Sequence, residues 1–318
     1  MNRAAGDRRE RGDVRIGISG WTYAPWRGVF YPEKLPHKQE LHYSSRVFST
    51  IEINGTFYSL QTPKTFLRWR DETPDGFVFA VKGSRYITHM RRLRDIEAPL
   101  ANYFASGVLA LGPKLGPILW QFPPSFSFKP ELIEPFFKLL PRTTEDAAVL
   151  ASGHDARLAE QAFVEPVVRG RIRHAMEVRH PSFVCEEFIA LLRKYRVALV
   201  CADTVAWPRL MDVTADFVYC RLHGSKELYA SGYGAKALDE WAVRVASWAS
   251  GGEAEGEHAS RRAAPRRAKR DVYVYFDNDM KVRAPVDARG LARRVRTGRP
   301  GEDWPSGRSR FAPVRRRS

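Results

Sequence analysis

Short apolar runs recur along the chain, and each ends in polar residues able to bind or react. Ile16-Gly17-Ile18 leads into Ser19-Gly20-Trp21, Ile51-Glu52-Ile53 into Asn54, the run from Phe77 to Val81 into Lys82, and Ile118-Leu119-Trp120 into Gln121. Further on, Ala175-Met176-Glu177-Val178 leads into Arg179-His180, the run from Val197 to Cys201 towards Asp203, Phe217 to Cys220 into Arg221-Leu222-His223, and Val272 to Phe276 into Asp277-Asn278-Asp279. Runs of this length and composition read as buried strands.

Between them lie segments with helical spacing. They are predicted over 36–48, from Thr62-Pro63 onward, and over 92–106, 129–140, 157–170, 182–196, 235–249 and 287–297. Thr62 is placed as an N-cap with Pro63 at the first helical position. Leu132, Ile133, Phe136, Phe137 and Leu140 share one helix face. This alternation fits a single (β/α)8 TIM-type barrel over 14–297. An open doubly wound sheet is the other α/β solution, but Ile18-Ser19-Gly20-Trp21-Thr22 is not the glycine fingerprint of its nucleotide-binding form. In a parallel barrel the carboxyl ends of the strands share one face, where active sites sit.

Composition adds a charge asymmetry. The 318 residues carry a formal charge of +16, of which 250–270 contributes +3, 298–318 contributes +4 and 1–13 contributes +1. Low apolar content marks 250–270 as a flexible basic insertion, and 1–13 and 298–318 as disordered ends. Basic segments of this kind attract phosphate polymers without sequence specificity. No apolar stretch is long enough to span a membrane, and the start lacks an apolar signal segment, so a cytoplasmic location is expected. Cys185, Cys201 and Cys220 are odd in number and widely spaced, which argues against a disulfide framework or a paired-cysteine metal site.

Side chains alternate along a strand, so Glu52 and Asn54 share a face, as do Glu177 and Arg179, and Arg221 and His223. Inward-facing, these residues would converge with Lys82 and Asp203. Glu52, Glu177, Asp203 and His223 are the candidate catalytic groups. Arg179 and Arg221 could fork onto a carboxylate or phosphate, and Lys82 is expected to pair with Glu52. The segment His223-Gly224-Ser225 offers backbone amides to a phosphate. Trp21, Tyr23, Asn54, His89, Gln121, His180 and Asn278 complete the candidate binding residues. No cofactor is predicted. The histidines and carboxylates at the strand ends, Asp277 among them, permit a divalent metal, although no local ligand spacing supports one.

The same residues resemble the YecE-like family, a group known as a domain of unknown function. The likeness is carried by Ile16 to Tyr23 with Trp26, Phe30-Tyr31-Pro32, Glu52-Ile53-Asn54 with Thr56-Phe57-Tyr58, and Lys82 with Ile87-Thr88-His89. It continues through Leu111 to Gly116-Pro117 and Gln121 to Phe126, Glu177-Val178-Arg179-His180, Arg221-Leu222-His223-Gly224 and Tyr275-Phe276-Asp277-Asn278-Asp279. The resemblance implies a TIM barrel and no settled activity. Asp277 stands where that family more often has Asn, and Phe183 where it more often has Trp.

Three functions are compatible with this pattern. One is an enzyme, a hydrolase or lyase, acting on an anionic and phosphate-bearing substrate at the barrel mouth. Another is a metal-dependent phosphodiesterase on nucleic acid, by fold analogy with endonuclease-IV-type barrels. The third is a non-catalytic nucleic-acid binder that uses its basic insertion and tail. The expected partner is thus an anionic small molecule or a nucleic acid.

Overall fold

The computed structural model describes residues 11–158, 160–224, 228–229 and 231–297. Eight parallel strands close into a barrel in chain order. They are Val14–Ser19 (β1), Thr50–Ile53 (β2), Val78–Lys82 (β3), Leu115–Gln121 (β4), His174–Glu177 (β5), Ala198–Asp203 (β6), Phe217–Leu222 (β7) and Asp271–Phe276 (β8). Helices Glu40–Val47 (α1), Gly55–Tyr58 (α2), Pro63–Glu72 (α3), Glu97–Ala105 (α4), Pro130–Leu139 (α5), Thr144–Ala151 (α6), Glu186–Tyr195 (α7), Ala235–Ala249 (α8) and Arg283–Thr297 (α9) occupy the connections. The TIM-type barrel expected from the alternation is the observed fold.

Strand alternation sorts the core into two compartments. Ala80, Leu119, Ala175, Val200, Ala202, Phe217, Tyr219, Tyr273 and Tyr275 fill the barrel interior. Their sequence neighbours, such as Phe79, Ile118, Met176, Cys201, Cys220 and Val274, face the helices and join the larger outer core. Small residues on β3, β5 and β6 make room for the tyrosines of β7 and β8, so large and small side chains interlock across the interior. Thr50 and Tyr275 hydroxyls bond at 2.7 Å inside it, which satisfies two polar groups that burial would otherwise leave costly.

One predicted helix is displaced. Among the described residues of 157–170 there is only the end of a 3-10 turn, Ala156–Leu158, because Pro166 and Gly170 interrupt the pattern. The helix forms earlier, as α6. Thr143 Oγ1 accepts from the Asp146 amide at 3.0 Å and Asp146 accepts from the Thr143 amide at 3.0 Å, a reciprocal capping box.

Residues 250–270, expected to be flexible, contain no helix or strand but are tied to the barrel. Asp212 accepts from the amides of Ala259 and Ser260 at 2.8 and 3.1 Å, and the Met211 amide donates to the Glu257 carbonyl at 2.8 Å. Arg270, 2% exposed, donates to the carbonyls of Gly251, Gly252 and Pro265. The segment joins the end of α8 to the start of β8 and runs along the outside of the barrel, where the Arg261 amide donates to Glu186 Oε1 at the start of α7 at 3.0 Å. Residues 1–10 and 298–318 lie outside the described residues. Among the described residues no helix is long and apolar enough to cross a membrane.

β1 approaches β2 closely because Gly17 has no side chain beyond hydrogen: a Cβ there would sit 1.9 Å from the Thr50 carbonyl oxygen. Gly17→Ala is therefore expected to prevent normal pairing of β1 and β2 and to cost more than about 3 kcal/mol. A wild-type urea midpoint for this variant would show that the barrel tolerates strand separation there.

Candidate active site at the carboxyl ends of the strands

The inward row at the top of the barrel is almost wholly ionisable. β2 brings Glu52, β5 Glu177, β7 Arg221, and the residue after β8 is Asp277. Arg221 lies at the centre and is 1% exposed. Its Nε donates to Glu52 Oε2 at 3.1 Å, Nη1 to Glu177 Oε2 at 2.7 Å, and Nη2 contacts Glu52 Oε1 at 2.9 Å and Asp277 Oδ2 at 2.8 Å. Tyr219 donates to Glu52 Oε2 at 2.5 Å, and Ser19 Oγ donates to Glu52 Oε1. Asn54 Nδ2 reaches Ser19 Oγ at 3.0 Å. Burial alone would raise the Glu177 carboxyl, but Arg221 and then Arg179 hold it well below its ordinary range. Burial opposes ionisation of Asp277 too, and Arg221 again outweighs it.

The rim adds less symmetric groups. Arg179 donates twice to Glu177 Oε1, at 2.8 and 2.7 Å, and its guanidinium lies 4.0 Å from the centre of the Trp207 ring. His223 is fully buried between Trp207 and Tyr229, with Nδ1 3.0 Å from Asp277 Oδ2 and Nε2 3.7 Å from Glu177 Oε2. Among the described residues neither nitrogen has a partner at full hydrogen-bond geometry. Lys82 is 7% exposed, and its Nζ lies 4.3 Å from the centre of the Phe57 ring. Burial, reinforced by Arg221, pulls its ammonium down to about 8. His89 packs edge-on against Phe57, and burial together with Lys82, Arg179 and Arg85 pulls it down to about 4. Burial beside Asp277 pushes Asp279 well above the ordinary carboxylate range, while Tyr23 Oη donates to the Ser19 carbonyl at 2.6 Å.

The structure thus brings together Glu52, Asn54, Lys82, His89, Glu177, Arg179, Arg221 and His223. Gln121 is buried in register with Glu177, and Tyr23 stands at the rim. Four candidates lie elsewhere. Asp203 occupies an outward position on β6, where it accepts from Arg209 at 2.7 Å and from Trp241 Nε1 of α8 at 3.1 Å. With Ala202 facing inward, alternation turns Asp203 towards the helices. Asn278 is likewise turned outward by alternation from Asp277, and donates to the Ser231 carbonyl at 3.0 Å and to Asp287 at 2.8 Å. His180 Nδ1 accepts the Ser182 amide at 3.1 Å and caps the turn Pro181–Phe183. Trp21 packs edge-on against Trp69 and against outward-facing Phe79, in the helix layer.

Two expected contacts are also replaced. Glu52 pairs with Arg221 instead of Lys82, and Arg221 is so fully engaged that it has little left to fork onto a ligand. The Gly224 amide donates to Tyr233 Oη at 3.2 Å, which removes it as a phosphate donor; Ser225 lies outside the described residues. Ser19 and Asp277 were missing from the candidate binding and catalytic residues, although counting by twos from Gly17 and from Tyr273-Tyr275 reaches them. Trp207 and Tyr229 sit in loops without such a signal. Among the described residues no group of three or more His, Cys, Asp or Glu side chains is placed to hold a metal ion, and Arg221 stands among the carboxylates that would have to do so.

Comparison with known proteins matches this framework. A protein-family model described as "Protein of unknown function DUF72" covers residues 15–308. The chain belongs to the DUF72 family. The UPF0759 protein YecE of Escherichia coli (strain K12) is 30% identical over 115 residues, 36% of this chain and 39% of YecE. The UPF0759 protein YunF of Bacillus subtilis (strain 168) is 30% identical over 123 residues, 37% of this chain and 43% of YunF. The matches therefore span less than half the length of these curated relatives. A DUF72 family protein from Thermotoga maritima superposes with a TM-score of 0.63 at 25% identity, covering 89% of this chain and 99% of that one. A second, from Enterococcus faecalis, superposes at 0.62 with 15% identity over 89% and 95% of the two chains. These likenesses agree with the YecE-like motifs and with the barrel, and carry no specific activity or substrate.

In this DUF72 chain, Arg221→Met should leave Glu52 and Glu177 buried without their main counter-charge, costing about 3–5 kcal/mol at neutral pH. Glu177 and Asp277 have folded-state values below their ordinary ones of 4.5 and 3.8. Their contribution is complete above that range and is lost as pH falls through it. Wild-type stability should accordingly drop with acid, and the variant's should drop less. Parallel acid-denaturation curves for the two proteins would contradict the assignment.

Proposed function

We propose that the barrel mouth binds a small anion, a carboxylate or phosphate ester, and moves protons on it in a hydrolysis or elimination. This reading rests on Lys82. The other charges at the mouth are matched: Arg221 and Arg179 are bonded to the carboxylates they face. Lys82 instead has its ammonium against the Phe57 ring, with Arg221 opposing its charge and Glu52, Asp277 and Glu177 acting on it through space. A purely structural plug gains nothing from a buried cation held in this way. A ligand anion supplies the hydrogen-bond acceptor that the Phe57 ring does not, in a site from which water is largely excluded, where such a contact is strong.

The proton inventory fits the same role. An amine at about 8 changes charge close to neutral pH, the range in which acid–base catalysis is efficient. His89 stays neutral well below that and offers an uncharged imidazole beside Lys82. Asp277 and Asp279 are pushed in opposite directions, Asp277 down by Arg221 and Asp279 up by burial beside Asp277, a divergence of the kind that separates acid from base within a carboxyl pair. His223 sits between Glu177 and Asp277, with Nδ1 3.0 Å from Asp277 Oδ2 and Nε2 3.7 Å from Glu177 Oε2.

The metal-dependent phosphodiesterase has weaker support, since the carboxylates it would use are spent on Arg221. The basic insertion gives little support to nucleic-acid binding at the mouth, because Asp212 and Glu186 hold it against the outside of the barrel and Arg270 is engaged by carbonyls within it.

Lys82→Met tests the proposal in two ways. Lys82 has a folded value below its ordinary 10.5, so its cost to folding is full below about pH 8 and disappears as pH rises past 10.5. Removing it should stabilise the protein by about 1–3 kcal/mol at pH 7. Sulfate titrated into wild type should bind more weakly as pH rises through 8, and Lys82→Met should bind it poorly at every pH. Unchanged sulfate affinity in the variant, or a loss of stability, would count against an anion site at Lys82.

A further inference from the structure

A groove of about 230 Å³ lies beside the mouth, bordered by Tyr58 and Leu60 after β2, by Ser84 and Tyr86 after β3, and by Pro99 on α4. It is apolar where most of this surface is charged: Tyr58 is 65% exposed, and Leu60 and Tyr86 are each 39% exposed. Large apolar side chains gathered at the edge of a polar cavity mark a binding surface more often than scattered ones do.

The groove adjoins the anion site through Phe57, which separates Lys82 from it. Lys82 Nζ lies against Phe57, and the Phe57 ring meets the Tyr58 ring edge-on with centres 5.1 Å apart. On the other side of Phe57 stands His89, centre to centre 5.0 Å. Arg85 lies over Tyr58 at 5.3 Å. One wall of rings therefore runs from the buried ammonium to the open groove, with a second cation at its outer end.

The loop carrying Ser84, Tyr86 and His89 is held in costly backbone geometry. Tyr86–Met90 forms a π-helical turn. Just beyond it Arg92, Leu93 and Asp95 have φ of 50°, 65° and 47°, a left-handed conformation that non-glycine residues rarely adopt. Arg92 secures it through the Ser125 hydroxyl and carbonyl at 3.2 and 2.8 Å, and Arg91 through Asp95 at 2.6 Å. Strain of this kind is retained mainly where it places functional side chains.

We infer that the ligand of this site is an aromatic anion, whose charged group lies at Lys82 while its planar ring lies against Tyr58 and Tyr86 in the groove. The inference rests on the anion reading of the mouth and adds the ring. Stacking of a flat ring on exposed aromatic side chains contributes on the order of 1–3 kcal/mol, enough to separate an aromatic anion from a simple one.

Inorganic phosphate and phenyl phosphate distinguish the two layers of the proposal by calorimetric titration into the full chain. Wild type should bind phenyl phosphate about tenfold more tightly than phosphate. Tyr58→Ala and Tyr86→Ala, both at exposed positions that the fold tolerates, should bring that ratio close to one without changing phosphate affinity. Lys82→Met should weaken both ligands. Phosphate binding that depends on Lys82 but shows no gain from the ring, or a gain that survives both tyrosine variants, overturns the aromatic inference and leaves the anion site standing. Failure of both ligands to bind wild type overturns the anion reading, and the ring with it.

Discussion

Arg221 is the interaction around which the mouth of the barrel is organised. One planar guanidinium, buried to 1% exposure, bonds carboxylates delivered by β2, by β5 and by the residue after β8. Each of those charges would be prohibitively expensive to bury alone, and each becomes tolerable because the same cation faces all of them. The fork geometry of arginine matters here, because a lysine ammonium could not present parallel donors to separate carboxylates. Tyr219 and Ser19 take up further lone pairs on Glu52, so the centre of the mouth is electrostatically satisfied and rigid.

That satisfaction throws the remaining groups into relief. With Arg221 and Arg179 committed, the cation least compensated is Lys82, and it stands where the polar centre meets a wall of aromatic rings. The loop after β3 adds His89 beside it, and carries Arg85 and Tyr86 to the neighbouring groove. The proposed anion site thus lies at the β2 and β3 ends of the barrel, while the β5, β7 and β8 ends provide the fixed charge framework. The basic segment has a separate structural task on the outside of the barrel, with Asp212 and Glu186 holding it there and Arg270 bracing it from within.

Much of this was legible from strand alternation. The eight runs, the polar residues that end them and the closed parallel topology follow from local pattern, and so does the convergence of Glu52, Glu177, Arg221 and His223. Where the reading failed, the cause was parity or unrecognised local chemistry. Asp203 and Asn278 are one residue out of step with their inward neighbours, which sends them to the helix layer. His180 is drawn into capping a turn, and Asp277 reads in the sequence only as a candidate metal ligand and a departure from the family's Asn, although it continues the inward row of Tyr273 and Tyr275. The helix expected over 157–170 gave way to Thr144–Ala151 because a capping box outweighed a weak periodicity broken by proline.

The order of hydrophobic and polar residues by itself determined that this chain would close a parallel barrel and gather charged groups at one end, because period and burial are local properties of a strand. It could not decide which cation would meet which carboxylate. Lys82 and Arg221 compete for the same acids, and the outcome depends on reach, on guanidinium geometry and on the position of Phe57, which are set only when distant strands are brought into register. The left-handed turn after β3 and the groove beside it are likewise products of packing between segments far apart in sequence.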